Sequence, residues 1–137
     1  MMKIWSHEFT FTTHKRREIV DITDEVLRAV RESGVKNGIL VVQLPHATAS
    51  LVLNEDEEGI KTDLLNKLEE LVPSRGGYLH DRIDDNAHAH LKAAILGSCR
   101  VLPIIDGRVI RGTWQNFLVV EEDGPRTRTV VILVMGE

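Results

Sequence analysis

The sequence predicts an α+β fold in a single domain covering residues 1–137, a largely antiparallel sheet packed with two or three helices. Three observations carry that prediction. The 137 residues contain no Pro/Gly/Ser-rich linker or break in composition, and this length is ordinary for one domain. Stretches that alternate apolar and polar residues share the chain with stretches of helical period, so both element types are present. Asp106-Gly107 joins two apolar stretches with no room for a crossover helix, which marks an antiparallel hairpin.

The elements follow in order. WSHEFTFTTH alternates through Trp5, Phe9 and Phe11 and predicts a strand continuing toward Ile19 and Ile22. Asp21, Thr23 and Asp24 are N-cap candidates ahead of Val26, Leu27 and Val30, and Gly34 stands where a C-terminal cap belongs. A helix over 24–33 is the expectation. ILVVQL is apolar almost throughout and reads as a central strand. HATASLVLNE alternates again, which would put His46, Thr48 and Ser50 on one face of a strand. Ile60, Leu64, Leu65, Leu68 and Leu71 have helical spacing up to Pro73, so this helix is expected to pack into the core. SRGGYLHDRIDDN reads as a loop and AHAHLKAAILG as a short helix ending at Gly97. CRVLPII, RVIRGTW, QNFLVVEE and RTRTVVILVM read as strands.

Bulk composition narrows the function. Hydrophobic residues at 42% against 28% charged supply a core, and the balance is unlike that of disordered chains. A formal charge of −4 argues against nucleic acid as a partner, because backbone binding needs a basic surface. No apolar run approaches the length of a membrane span, and the N-terminus lacks a signal-peptide core, so no membrane partner and a cytoplasmic location are the expectations. Cys99 is the only cysteine, with no disulfide partner in the chain, and is expected to pack as a small hydrophobe.

Four of the six histidines, His46, His80, His88 and His90, stand beside small or polar residues at two loop-to-element junctions. Imidazole is a common metal ligand, and three protein ligands with one open position suit catalytic zinc. Solvated or hydrogen-bonded histidines are the bland alternative. His88 and His90 lie about 200° apart if helical, so a helix allows only one of them on a shared ion. The neighbouring Ala94 and Ile95 favour His90 as the inward one. Asn54, Glu55, Asn86, Gln115 and Glu121 offer carboxylates for proton transfer and amides for orienting a ligand. Arg126 and Arg128, two apart on an apparent strand, would hold a phosphate if they share a face; a solvated edge-strand pair is the alternative.

HATASLVLNE, Tyr78-Leu79-His80, NAHAHLKAAILG, DGR at Asp106, GTWQ at Gly112 and EEDGPRTR from Glu121 occur in an order that resembles the YjbQ-like family of secondary thiamine-phosphate synthases, over nearly the whole chain. The resemblance implies a homotrimer of α+β subunits and a histidine pocket for a divalent metal, zinc foremost, with magnesium an alternative for diphosphate chemistry. It also implies a weak condensation of a pyrimidine diphosphate with a thiazole phosphate. On that pattern His46, His80 and His90 are the metal ligands, with His88 as substitute. Glu55 and Arg126 act in catalysis, and Thr48, Asn54, Asn86, Gln115, Arg126 and Arg128 bind the substrate. Metal-assisted phosphoester hydrolysis and non-catalytic binding of a small anion or metabolite by a trimer are the alternatives. Two positions depart from the pattern: His88, where relatives often carry another polar residue, and Glu122, where an aromatic or apolar residue is common.

Overall fold

A computed structural model describes residues 1–137. In chain order the elements are β1 (Lys3–Thr12), β2 (Glu18–Asp21), α1 (Thr23–Ser33), β3 (Gly38–Gln43), β4 (Ala49–Asn54) and α2 (Glu58–Leu71). A 3-10 turn (Leu79–Arg82), α3 (Ala87–Leu96), β5 (Cys99–Ile105), β6 (Arg108–Val109), β7 (Asn116–Glu121) and β8 (Thr127–Gly136) follow. The strands form a five-stranded sheet, β1-β8-β3-β5-β6, and a three-stranded sheet, β2-β7-β4. Every pairing is antiparallel, so the α+β class stands.

The core lies between the inner faces of the two sheets and α1. Leu40, Val42, Ile104 and Ile132 enter it from the large sheet, Leu51, Phe117 and Val119 from the small one, and Val26 and Val30 from α1. Alternate residues of β7 face the other way, yet Leu118 and Val120 are buried too. β7 is thus covered on both sides, which its unbroken FLVV run anticipates.

α1 matches its expected span and ends on Gly34 at φ 71, a left-handed turn that glycine adopts without strain. Its N-cap position is Ile22, with no side-chain cap bond there; Asp21 instead accepts from the Thr23 amide at 2.8 Å. Asp106 and Gly107 have φ of 52 and 78, the hairpin geometry expected of this pair.

Five expectations need correction. RVIRGTW is a strand only over Arg108–Val109. The first strand does not run on to Ile22: β1 and β2 are separate and belong to different sheets. β4 begins only at Ala49, so His46 and Thr48 lie on the approach to the strand. α2 buries only Leu68, while Ile60 and Leu71 are exposed. It leans over the outer face of the small sheet and leaves a cleft of about 530 Å³ lined by Asn54, Glu55, Leu64 and Leu118, among others. Cys99 is exposed on β5 rather than packed.

Candidate functional site

The turn between β7 and β8 gathers the site. β7 leaves the core with three consecutive acids, Glu121, Glu122 and Asp123, all buried. Carboxylates in that position need cationic or hydrogen-bonding partners, and each finds a different set.

Glu121 accepts from Arg128 Nε at 2.8 Å and from Arg128 Nη2 on its other oxygen. Thr13 Oγ1 donates to it at 3.0 Å, and the Asp123 amide at 3.0 Å. Arg128 Nη2 also donates to Thr48 Oγ1 at 3.0 Å. Arg128 is therefore committed to an internal ion pair and is 3% exposed. Arg126 precedes β8, is exposed, and donates through Nε and Nη2 to the Asp123 carbonyl and carboxylate at 2.9 Å each. The two arginines serve separate carboxylates and do not form the phosphate clamp expected of one strand face. Each arginine leaves Nη1 without a protein partner, but Arg128 is buried while Arg126 is exposed. Gly124 keeps this turn tight: a Cβ there would stand 2.1 Å from the Lys15 carbonyl oxygen.

Asp123 begins a relay to the histidines. Its Oδ2 accepts from Asn86 Nδ2 at 2.9 Å. Because a carboxylate only accepts, this contact fixes the amide and turns Asn86 Oδ1 toward His80 Nε2, 3.0 Å away. Facing an acceptor, His80 Nε2 carries the proton, and its Nδ1 keeps a free lone pair. Burial alone would raise the Asp123 carboxyl, but the Asn86 bond and Arg126 outweigh it and hold it below the usual range. The relay thus ends on a stable anion.

His90 stands beside His80. Their ring centroids are 4.8 Å apart with planes at 70°. Two imidazoles sharing a tetrahedral zinc, with Zn–N of about 2.0 Å, have centroids about 5 Å apart, a separation close to that of this pair. The third expected ligand is differently employed. His46 Nε2 accepts from the Thr129 backbone amide at 2.8 Å, so that lone pair is taken and Nδ1 carries the proton of the neutral ring. Burial, then the positive charge of Arg128, lower the His46 pKa, and an amide donating to the lone pair favours the same neutral ring. His46 is a neutral hydrogen-bond donor near two arginines, and ligating through Nε2 would cost it the Thr129 bond.

His88 is the inward histidine of α3 at 2% exposed, reversing the expectation for His90. Ala94 and Ile95 are exposed; the buried face is Ala87, His88, Ala89 and Lys92. His88 Nδ1 is 3.0 Å from Lys92 Nζ, whose other partners are Glu122 Oε1 at 2.7 Å and Glu69 Oε1 at 2.9 Å. Glu69, His88 and Glu122 bring ligand atoms within 4.8 Å of one another, but the Lys92 ammonium already occupies the centre they share. Arg17 Nε also donates to Glu122 Oε1 at 3.0 Å, while Glu122 Oε2 has no partner. His88 and Glu122, the two departures from the family pattern, are thus parts of one buried cluster, their nearest N and O 3.7 Å apart.

Asn54, Glu55 and Gln115 lie elsewhere. Along β4 and β7, Ala49 pairs with Glu121 and Asn54 with Asn116. Five residues of strand separate those ends by roughly 17 Å. Glu55 and its amide neighbours are thus at the far end of the small sheet from the histidines within one subunit. Lys92 was not singled out in the sequence. The available signal was acidic residues extending a strand buried on both faces, which demands internal cations.

The family model for UPF0047 YjbQ-like proteins matches residues 7–137. A UPF0047 protein of Archaeoglobus fulgidus is 50% identical over 91% of this chain and 97% of its own length. The chain belongs to the UPF0047 YjbQ-like family. The crystal structure of a YbjQ-like protein from Sulfolobus solfataricus P2 is 44% identical, covers 100% of both chains and gives a TM-score of 0.98. A hypothetical protein from Aeropyrum pernix K1 is 42% identical, with a TM-score of 0.95 over 97% of this chain and 99% of its own. The UPF0047 fold therefore extends over the sheets, α3 and the turn that carries the site.

Proposed function

We propose that this UPF0047 chain is a metal-dependent enzyme acting on a small phosphorylated metabolite, with His80 Nδ1 and His90 holding a divalent ion, zinc foremost. The observation that carries this reading is the Asp123–Asn86–His80 relay, which leaves a lone pair free beside a second imidazole. Outer hydrogen bonds of this kind orient ligating histidines. Arg126 Nη1 and His46 Nδ1–H are the donors for a phosphate. A bound divalent ion supplies charge stabilisation for phosphate or departing pyrophosphate. Condensation to thiamine phosphate is the specific reaction proposed, following the resemblance drawn from the sequence.

Glu55, with Asn54 and Gln115, joins such a site only from a neighbouring subunit. A homotrimer is therefore part of the proposal. The outward face of the five-stranded sheet supports assembly, since Ile4, Val101 and Ile105 are 70%, 60% and 51% exposed there.

The test is metal content per subunit in protein purified without a histidine tag. About one divalent ion per subunit is expected, lost in folded His80→Ala and His90→Ala variants. No bound metal after soaking with zinc or magnesium would overturn the reading. Product assays then separate thiamine phosphate formation from phosphoester hydrolysis. One observation favours the non-catalytic alternative: Glu55, the carboxylate proposed for the chemistry, stands at the far end of the small sheet from the histidines within a subunit. Saturable binding of a small anion without turnover would establish it.

A further inference from the structure

A second polar cavity of about 530 Å³ opens on the other side of α3, lined by Arg16, Ser74, Arg75, Asp81, Asp84, Asp85 and His88. No hydrophobic side chain lines it. Its floor is His88, which is 98% buried by its 2% relative exposure, and whose only hydrogen-bond partner is Lys92 through Nδ1. Lys92 is an ammonium whose other two contacts are carboxylates, so it donates to Nδ1 and the ring proton resides on Nε2. That Nε2–H has no protein partner. The Lys92–Glu122 pair fixes the tautomer, and the cavity receives a donor from a residue that is otherwise enclosed.

The charges around this donor divide into two sets. Arg16 is engaged with Asp85 at 3.3 Å and Asp123 at 3.6 Å, and Ser74 Oγ donates to Glu69 at 2.8 Å. Arg75 has no ion-pair or hydrogen-bond partner, nor has the Asp81 carboxylate. Asp84 uses one oxygen to accept from the Asp85 amide at 2.8 Å. The unsatisfied groups are therefore two donors, His88 Nε2–H and Arg75, and two carboxylates, Asp81 and Asp84. A simple anion would meet the acids, and a metal ion would meet a protonated imidazole nitrogen, so neither matches the whole lining.

We propose that this cavity is a second ligand site, separate from the His80–His90 site, for a small zwitterion whose anionic group binds His88 Nε2–H and Arg75 and whose ammonium binds Asp81 and Asp84. Both ends are charge-assisted hydrogen bonds. Recognition depends on the two ends being carried by one molecule.

The experiment follows the His88 ring nitrogens by ¹⁵N NMR in the full-length protein while O-phosphoethanolamine is added, with inorganic phosphate and ethanolamine as separate controls. The expected result is a saturable shift of His88 Nε2 with phosphoethanolamine, at least about tenfold tighter than with either control. Arg75→Ala and Asp81→Asn alter exposed side chains and should leave the fold intact. Each should weaken phosphoethanolamine binding by about tenfold or more, and Asp81→Asn should leave phosphate binding unweakened. Phosphate binding as tightly as phosphoethanolamine would overturn the proposal, as would the absence of any His88 shift with phosphoethanolamine. Unchanged binding in both variants would overturn it as well.

Discussion

Glu122 illustrates how one side chain reorganises its surroundings. It is 1% exposed, its Oε1 accepts from Lys92 and Arg17, and its Oε2 has no partner. Removing one member of a buried ion cluster leaves the others desolvated and uncompensated. Glu122→Gln is therefore expected to lower stability by about 3 kcal/mol, measured by urea unfolding at neutral pH. A loss well under 1 kcal/mol would mean that Glu69 alone satisfies Lys92. The individual roles of the histidines were only partly legible in the sequence. Helical period places His88 and His90 on different faces, but Ala94 and Ile95, which point to the His90 face as the inward one, are themselves exposed. Small residues, Ala87 and Ala89, together with the Lys92 cluster decide that burial, and apolar periodicity does not register a lysine as core. His46 likewise looked like a ligand because nothing in the sequence reveals that the Thr129 amide takes its lone pair.

Elements were more legible than side-chain roles. Turn glycines, the FLVV run and the α1 pattern located their elements because those signals are local. The separation of β1 from β2 depends on which sheet each joins, a tertiary outcome with no local signature. α2 shows the same limit from the opposite direction: its apolar spacing is sound, yet only Leu68 is buried. A polar clasp supplements that thin apolar contact, since Glu69 near the end of α2 accepts from Lys92 of α3 and from Ser74 just beyond the helix. Burial alone would raise the Glu69 carboxyl, but the Lys92 and Ser74 bonds outweigh it and bring its pKa from 4.5 to about 2. A carboxyl depressed in the folded state binds fewer protons there than in the unfolded state. Its stabilisation is thus full above pH 4.5 and lost as pH falls toward 2. Wild type should exceed Glu69→Gln in urea midpoint at neutral pH, with the gap closing across that acid window. His46 and His88 are lowered from 6.5, chiefly by burial. Their contribution is full above pH 6.5 and declines as pH falls below it, so wild-type stability should begin to fall before the Glu69 window is reached. A gap between the two proteins that persists unchanged to pH 2 would remove Glu69 from the clasp.

At the scale of the molecule, the large sheet has one face in the core and one that is apolar without a cover. Ile39 is opposite Met135 and Pro103, and Val41 is opposite Leu133 and Val101; cross-strand partners project to the same side. Their neighbours Leu40, Val42, Leu102 and Val134 face inward and are buried. A broad apolar patch of this kind marks an interaction surface, and for the proposed homotrimer it is the surface that a second copy covers. Val101 sits on it at 60% exposed, so Val101→Asp should disturb little within the subunit while placing a charge in the contact. Sedimentation equilibrium is expected to show trimers for wild type and monomers for Val101→Asp, with unchanged circular dichroism. His80 and His90 come from one subunit, so the monomer should retain its metal. The Asn54 end of β4, beside Glu55, lies roughly 17 Å from its Ala49 end, so on the proposed reading Glu55 enters the site from a neighbour and turnover should be lost. A monomeric wild type would remove the homotrimer, and a Val101→Asp monomer with full turnover would remove Glu55 from the chemistry while leaving the histidine pair in place.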